Sequence, residues 1–483
     1  MQLAVIADET RLAITTFLER AGGIAAPSLR LGVTGLARAG KTVFISALVH
    51  NLIHGGRLPL FKAYSGGRVA GAALEPQPDD AVPRFDYEGH VRALVDERIW
   101  PESTRRISEI RLTIHYESAS YLARTFRRGT LHLDIVDYPG EWLLDLPLLA
   151  KDFVTWSREA LALASAPSRA GLSAAWRARL GAIDPTTAEN ETLARELAGL
   201  FTAYLHACRA SGDGLSTIPP GRFLMPGDLD GSPALTFSPL EPGETEIKPG
   251  SLAAMMARRY EAYKTAVVRP FFRDHFARLD RQIVLVDALE ALNAGPAAVA
   301  ELEAALAEIL AAFRLGRTGW LAGLVTRRID RILFAATKAD HLHHGDHDRL
   351  EAILARLVAR AIERAHFAGA KVEVLALASV RATREGTVAS ARERLAAIIG
   401  TPVPGEAVDG RVFDGNTEIA MFPGDLPNDP ESVFQWSESE AVPVRFLRFR
   451  PPKLERTAEG LTLSLPHIRL DRALEFLIGD RMS

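Results

Sequence analysis

Cysteine and lysine are nearly missing from this sequence. Of 483 residues one is cysteine, Cys208, so no disulfide can close within the chain and a reducing compartment is expected. Lysine occurs 8 times against 49 arginines, so each lysine that falls on a motif position carries weight. No run of about 18 uncharged apolar residues occurs, which argues against a membrane-spanning helix. Met1 to Arg20 carries Asp8, Glu9 and Glu19 and lacks the apolar core of a secretory signal, so a cytoplasmic chain is expected. The net charge is −3. That is not the strongly basic field nucleic-acid binding needs, and no nucleic-acid partner is expected.

What is present is ordinary soluble composition, 47% hydrophobic and 24% charged. The length exceeds one compact core. Residues 1–28 read as an amphipathic helix through Leu12, Ile14, Phe17 and Leu18. Leu29–Thr34 reads as a strand, followed by a Gly-rich loop and a helix with Phe44, Ala47, Leu48 and Leu52 on one face. Residues 62–104 read as a long loop with a short helix near Val91–Ile99. Strands are expected at Ile107–Tyr116, Thr130–Val136, Gln282–Val286, Arg331–Ala336 and Val372–Ala378. Residues 150–280 read as a mostly helical insertion, with a stripe at Leu193, Leu197, Leu200, Phe201, Tyr204 and Leu205. Beyond Gly400 alternation predicts strands at Val444–Phe449 and Leu461–Leu465, then a helix capped by Asp471. Strands alternating with helices imply a mostly parallel α/β sheet. The expected division is an N-terminal helix (1–28), an α/β domain (29–149 with 281–400), the insertion (150–280) and a small C-terminal α+β part (401–483).

Three motifs sit at strand ends. Gly35-Leu36-Ala37-Arg38-Ala39-Gly40-Lys41-Thr42 matches the phosphate-loop pattern GxxxxGK[ST]. Glycines let the backbone wrap closely, and the N–H groups of Gly35, Arg38, Ala39, Gly40, Lys41, Thr42 and Val43 are expected on phosphate oxygens at a helix N-terminus. Lys41 would reach the β- and γ-phosphates and the Thr42 hydroxyl would ligate Mg²⁺. Asp137-Tyr138-Pro139-Gly140 places a carboxylate near the metal and the Gly140 N–H near the γ-phosphate. Thr337-Lys338-Ala339-Asp340 reads a base: Asp340 would accept from guanine N1–H and N2–H, which adenine cannot offer, with the Lys338 stem over the purine. A looser match, Ser379-Val380, would offer backbone N–H to the guanine oxygen. Thr104, ahead of the second expected strand, is the switch threonine expected on the metal. Asp134 is read as structural.

This order of motifs resembles Ras-like GTPases with an insertion after the second switch. The phosphate-loop run, Asp-Tyr-Pro-Gly-Glu-Trp, Arg-Gln-Ile-Val-Leu-Val-Asp-Ala-Leu, Thr-Lys-Ala-Asp-His and the tail Leu-Pro-His-Ile-Arg-Leu-Asp are similar to the YcjX family of bacterial stress-associated P-loop NTPases. The resemblance spans essentially the whole chain. It implies a Ras-like core, GTP/GDP and Mg²⁺ as cofactors, and a role in the envelope-stress response. It also implies a protein effector, membrane-associated, with the chain peripheral at the inner membrane.

One position departs from the pattern. Glu141 stands where many Ras-like enzymes have a water-orienting glutamine, and its charge would oppose the γ-phosphate unless neutralised. Arg38 is the candidate neutraliser or internal arginine finger. Lys41, Glu141, Arg38 and Gly140 are therefore the expected catalytic set, with slow hydrolysis. Two alternatives are an ATPase of the same fold and a nucleotide-stabilised scaffold. His341, His343, His344 and His347 cluster after Asp340, but one loop without a second liganding segment makes a weak metal site. Asp287 is placed away from Mg²⁺, and Cys208 is read as packing.

Overall fold

Seven of the eight residues of β1 (Ser28–Gly35) are buried. Burial on both faces is what a central strand of a parallel sheet requires, and it explains a run that does not alternate. The computed structural model describes residues 27–102, 104, 106–118, 129–211, 218–241, 247–313, 329–389, 394–408, 410–435, 445–454 and 464–482. The expected helix at 1–28 lies outside the described residues but for its last two.

The main sheet adds β2 (Val69–Glu75), β3 (Ser108–Tyr116), β4 (Gly129–Asp137), β5 (Arg281–Val286), β6 (Arg331–Ala336) and β7 (Lys371–Ala376). Their order is β2-β3-β4-β1-β5-β6-β7. β3 is antiparallel to both neighbours, and β4, β1, β5, β6 and β7 run parallel. β1 lies between β4 and β5, so the chain order reverses there, the point at whose carboxyl strand ends open α/β sheets bind their ligands. This is the Ras-like α/β sheet with one further edge strand.

That edge strand corrects the reading of 62–104 as loop. The segment forms a helical turn at Lys62–Ser65, β2, a helix at Tyr87–Arg92 and a widened turn at Ala93–Glu97. The sequence Val-Ala-Gly-Ala-Ala-Leu-Glu hides β2, because its residues are small and half-exposed and its register shifts near Gly71.

The strand expected at Leu461–Leu465 lies outside the described residues but for its last two; residues 445–449 of the strand expected at Val444–Phe449 form no strand, and Phe449 makes an isolated bridge to Pro402. The alternation there is real packing without a ladder: Leu447 and Phe449 bury against Ile398 and Phe413. A small antiparallel sheet forms instead from β8 (Arg384–Ala389) and β9 (Arg394–Gly400), a two-residue pair β10 (Ala407–Val408) and β11 (Arg411–Val412) stands apart, and β12 (Ile419–Met421) completes the small sheet against β9. The last helix, Leu470–Ile478, buries Leu470, Ala473, Leu474 and Leu477 in the same core as Leu31, Val33, Phe44 and Leu48. Asp471 does not cap it. Arg469 holds the cap position in a left-handed conformation, φ 59°, while Asp471 accepts the Leu60 N–H at 2.9 Å.

Two compact units result. One comprises residues up to Tyr138, Arg278–Ala300 and residues from 314 onward; the other comprises Pro139–Ala277 with Glu301–Phe313. The second unit is helical. Its longest helix, Glu191–Ala210, is capped by Asn190, whose side chain accepts the Leu193 N–H at 2.9 Å. The predicted stripe packs Leu197, Phe201, Tyr204 and Leu205 inward with Cys208. Aromatic stacking fills the rest: Trp156 lies 4.9 Å from Tyr260 and Trp176 5.5 Å from Tyr204. No helix among the described residues is long and apolar enough to cross a membrane.

Candidate functional site

β1 ends at Gly35, where a Cβ would sit 2.3 Å from the Leu285 carbonyl oxygen, so only glycine lets the loop leave beside β5. The loop turns back through Arg38 (φ 63°) and Gly40 (φ 87°) into the helix Lys41–Ile53. Its first turn carries no acidic residue, which keeps the helix N-terminus electropositive. Ala39 is buried and its N–H bonds Leu36 O at 3.3 Å. Val43 packs on the main core. Lys41 folds over the loop, its Nζ donating to Gly35 O and Leu36 O at 3.0 Å each. Arg38 is exposed, and its charge opposes the raised pKa that burial and Asp287 give Glu290.

Three oxygens expected on a metal come together. Thr42 Oγ1 lies 3.2 Å from Thr104 Oγ1, and Thr104 donates to Asp137 Oδ2. Asp137 is fully buried, and its other oxygen, Oδ1, has no hydrogen-bond partner. An orphaned buried carboxylate oxygen is costly and calls for a donor or a cation. Burial pushes the Asp137 carboxyl up to about 6, with the Lys41 ammonium and the Thr104 hydrogen bond opposing. Two hydroxyls and a carboxylate make a hard oxygen set that fits Mg²⁺. Asp134, two residues earlier, is spent on a bidentate pair with Arg111 at 2.6 and 2.8 Å.

The base-reading loop follows β6. Thr337 N–H continues the ladder to Val286 O at 2.9 Å. Lys338 then takes a left-handed conformation, φ 61°, and its ammonium pairs with Asp287. Asp340 is 4% exposed; its Oδ2 accepts the Ala382 N–H at 2.7 Å, and its main-chain oxygen accepts the Thr383 hydroxyl. Ser379 and Val380 follow β7. Val380 turns its side chain into the core, and the turn is strapped to the tail: Ala378 bridges Ile468, and Arg381 N–H reaches Pro466 O at 2.7 Å. Asn51 of the phosphate-loop helix holds the same tail, exchanging two hydrogen bonds with the Leu465 backbone at 2.9 and 3.1 Å.

Sequence reasoning missed four parts of this arrangement: Asp287 as the partner of Lys338, the Ala382–Thr383 backing of Asp340, the tail strap, and Asn51. Asp287 at a strand end was the one visible signal. The others join positions up to 414 residues apart and have no local signature.

Gly140 and Glu141 open the 3₁₀ run Gly140–Ala150 in the second unit. Glu141 is 3% exposed, and Arg209 Nη2 stands 2.9 Å from its Oε1, close enough for an ion pair but without hydrogen-bond alignment. Arg209 thus supplies the neutralising charge inside this unit. The run is tightly held. The Arg222 guanidinium lies 3.1 Å from the centre of the Trp142 ring, and Trp142 Nε1 donates to Met225 O at 3.0 Å. Asp145 accepts from Gly221 N–H and the Tyr263 hydroxyl at 2.7 Å each. Gly221 must be glycine, because a Cβ there would overlap Glu141 O at 1.7 Å.

The model of the YcjX-like family, DUF463, matches residues 29–482. The "Ras-like GTPase YcjX" of Escherichia coli (strain K12) is 40% identical over 466 residues, covering 94% of this chain and 96% of that protein. The protein of the same name from Shewanella oneidensis is 36% identical over 479 residues, 94% of each chain.

Proposed function

The chain belongs to the YcjX-like family, and on that premise we propose that it binds guanine nucleotide with Mg²⁺ and hydrolyses GTP slowly. The observation that carries the reading is the convergence of Thr42, Thr104 and Asp137, whose second carboxylate oxygen is orphaned, beside a lysine-closed phosphate loop. Gly35, Arg38, Ala39, Gly40, Lys41, Thr42 and Val43 form the phosphate cradle. Asp340 reads the base edge, Lys338 covers the purine with its charge taken up by Asp287, and the Ser379–Val380 turn faces the guanine oxygen. Mg²⁺, when bound, would neutralise developing charge on the phosphates. Thr104 is the switch group that responds to the γ-phosphate.

Slow turnover follows from Glu141. In sequence it follows the Asp137–Gly140 motif, where many Ras-like enzymes carry glutamine, and its carboxylate lies within ion-pair distance of Arg209. Single-turnover phosphate release from Mg·GTP is expected on the order of 10⁻³ s⁻¹. Glu141→Gln should raise that rate by at least about tenfold, with GTP affinity changed less than about twofold. An unchanged rate would remove Glu141 from the mechanism. Wild-type release no faster than the buffer blank would sink the hydrolytic half of the proposal.

A further inference from the structure

We propose that His343, His344 and Glu385 form a binding site for a first-row transition dication of the Zn²⁺ type, separate from the nucleotide's metal. The objection raised by the sequence was that one histidine loop has no second liganding segment. The fold supplies one. Glu385 on β8 comes alongside the loop, and one ligand atom from each of the three residues lies within 4.8 Å of the others.

The spacing suits a small ion. A tetrahedral site with bonds of about 2.0–2.1 Å has ligand–ligand edges of about 3.3 Å. Here His344 Nδ1 stands 2.8 Å and His343 Nε2 3.8 Å from Glu385 Oε2, on either side of that value. The two imidazole rings lie 4.1 Å apart, centre to centre. Two imidazoles and one carboxylate favour Zn²⁺ and its neighbours over Mg²⁺ or Ca²⁺, which take oxygen sets. Arg381 Nη2 approaches the other oxygen, Oε1, at 3.4 Å, which orients the carboxylate and leaves Oε2 for the ion. Two contacts must yield: the hydrogen bond between His344 Nδ1 and Glu385 Oε2, whose proton the ion would replace, and the Gly345 N–H, which points at His343 Nδ1 from 3.4 Å, the nitrogen that would carry the proton once Nε2 is ligated. The long Gly345 bond gives little resistance, and two ion–ligand bonds replace the His344–Glu385 one. The other two histidines stay out of the site. His347 Nε2 pairs with Ala339 O at 3.0 Å, and His341 is buried edge-on against Phe449.

The position gives the site a consequence. Its ligands join the loop that leaves Asp340 to the strand that follows Ala382 and Thr383, the residues that back Asp340. A bound ion therefore cross-links the two segments that fix the base-reading carboxylate. By linkage, its occupancy should tighten guanine nucleotide binding, and nucleotide should tighten the ion.

The test uses the untagged full chain, stripped with chelator and titrated with Zn²⁺ by calorimetry. It is run both bare and with excess Mg²⁺·GDP so that the nucleotide's metal position is filled. Co²⁺ absorption provides the coordination signature. One site per chain with a tetrahedral Co²⁺ spectrum is expected, weakened at least tenfold by His344→Ala and by Glu385→Gln, both at exposed positions that leave the fold intact. GDP should bind several-fold tighter to the Zn²⁺-loaded chain. The site is overturned if no Zn²⁺ binds, or if both variants bind it like wild type. The bare titration reads the site even if the guanine reading fails, and unchanged GDP affinity in the loaded chain overturns the linkage.

Discussion

Asp340→Asn is expected to turn a GTP binder into an XTP binder. GTP affinity should fall at least about 100-fold while XTP gains by a similar factor, because a site built to hydrogen-bond one edge rejects the analogue that leaves its groups unpaired. Two carboxylate oxygens match the N1–H and N2–H donors of guanine. An amide keeps one oxygen and turns the other atom into a donor, which meets the guanine amine head-on but pairs with the C2 oxygen of xanthine. The loop should survive the change. The remaining amide oxygen can still accept the Ala382 N–H, and the Thr383 hydroxyl bonds the main-chain oxygen, which is unaltered. Calorimetry with both nucleotides checks this, and a mutant that keeps its GTP preference removes Asp340 from base reading.

Lys41→Ala should abolish measurable nucleotide binding, a loss of at least about 100-fold or roughly 3 kcal/mol. Three losses act together. The phosphates lose their buried cation. The carbonyls of Gly35 and Leu36, which Lys41 holds at 3.0 Å, lose a donor that shapes the loop. Asp137 loses the charge that most opposes the effect of burial on its carboxyl, so its already raised pKa rises further. At neutral pH a larger share of Asp137 is then protonated, and Mg²⁺ binding weakens with it. GDP titration with and without Mg²⁺ reads both effects; near-normal GDP affinity in the mutant would contradict the phosphate-loop assignment.

The sequence disclosed what is local. The phosphate loop, Asp137 and Asp340 each sit in a run of a few residues at a strand end, where motif and apolar strand reinforce each other, and Thr104 was placed by its position ahead of β3. β6 is found at the predicted residues, and the other parallel strands differ by a residue or two at their ends. What stayed hidden is of two kinds. β2 is an edge strand of small residues, whose pairing with β3 comes from backbone bonds rather than from a buried face. The tail strap and the Asp287–Lys338 pair depend on contacts between residues far apart in sequence. The alternation at 445–449 misled for the opposite reason: Leu447 and Phe449 do bury, but among the described residues their segment makes an isolated bridge at Pro402 and not a ladder.

A guanine-specific, Mg²⁺-dependent nucleotide site is the proposal on which the rest depends. The most direct measurement is calorimetry of the wild-type chain with GTP, GDP and ATP in the presence of Mg²⁺, repeated with GTP after chelation. One site per chain is expected, with ATP at least about 100-fold weaker than GTP and GTP affinity that falls when Mg²⁺ is removed. ATP binding as tightly as GTP would contradict it.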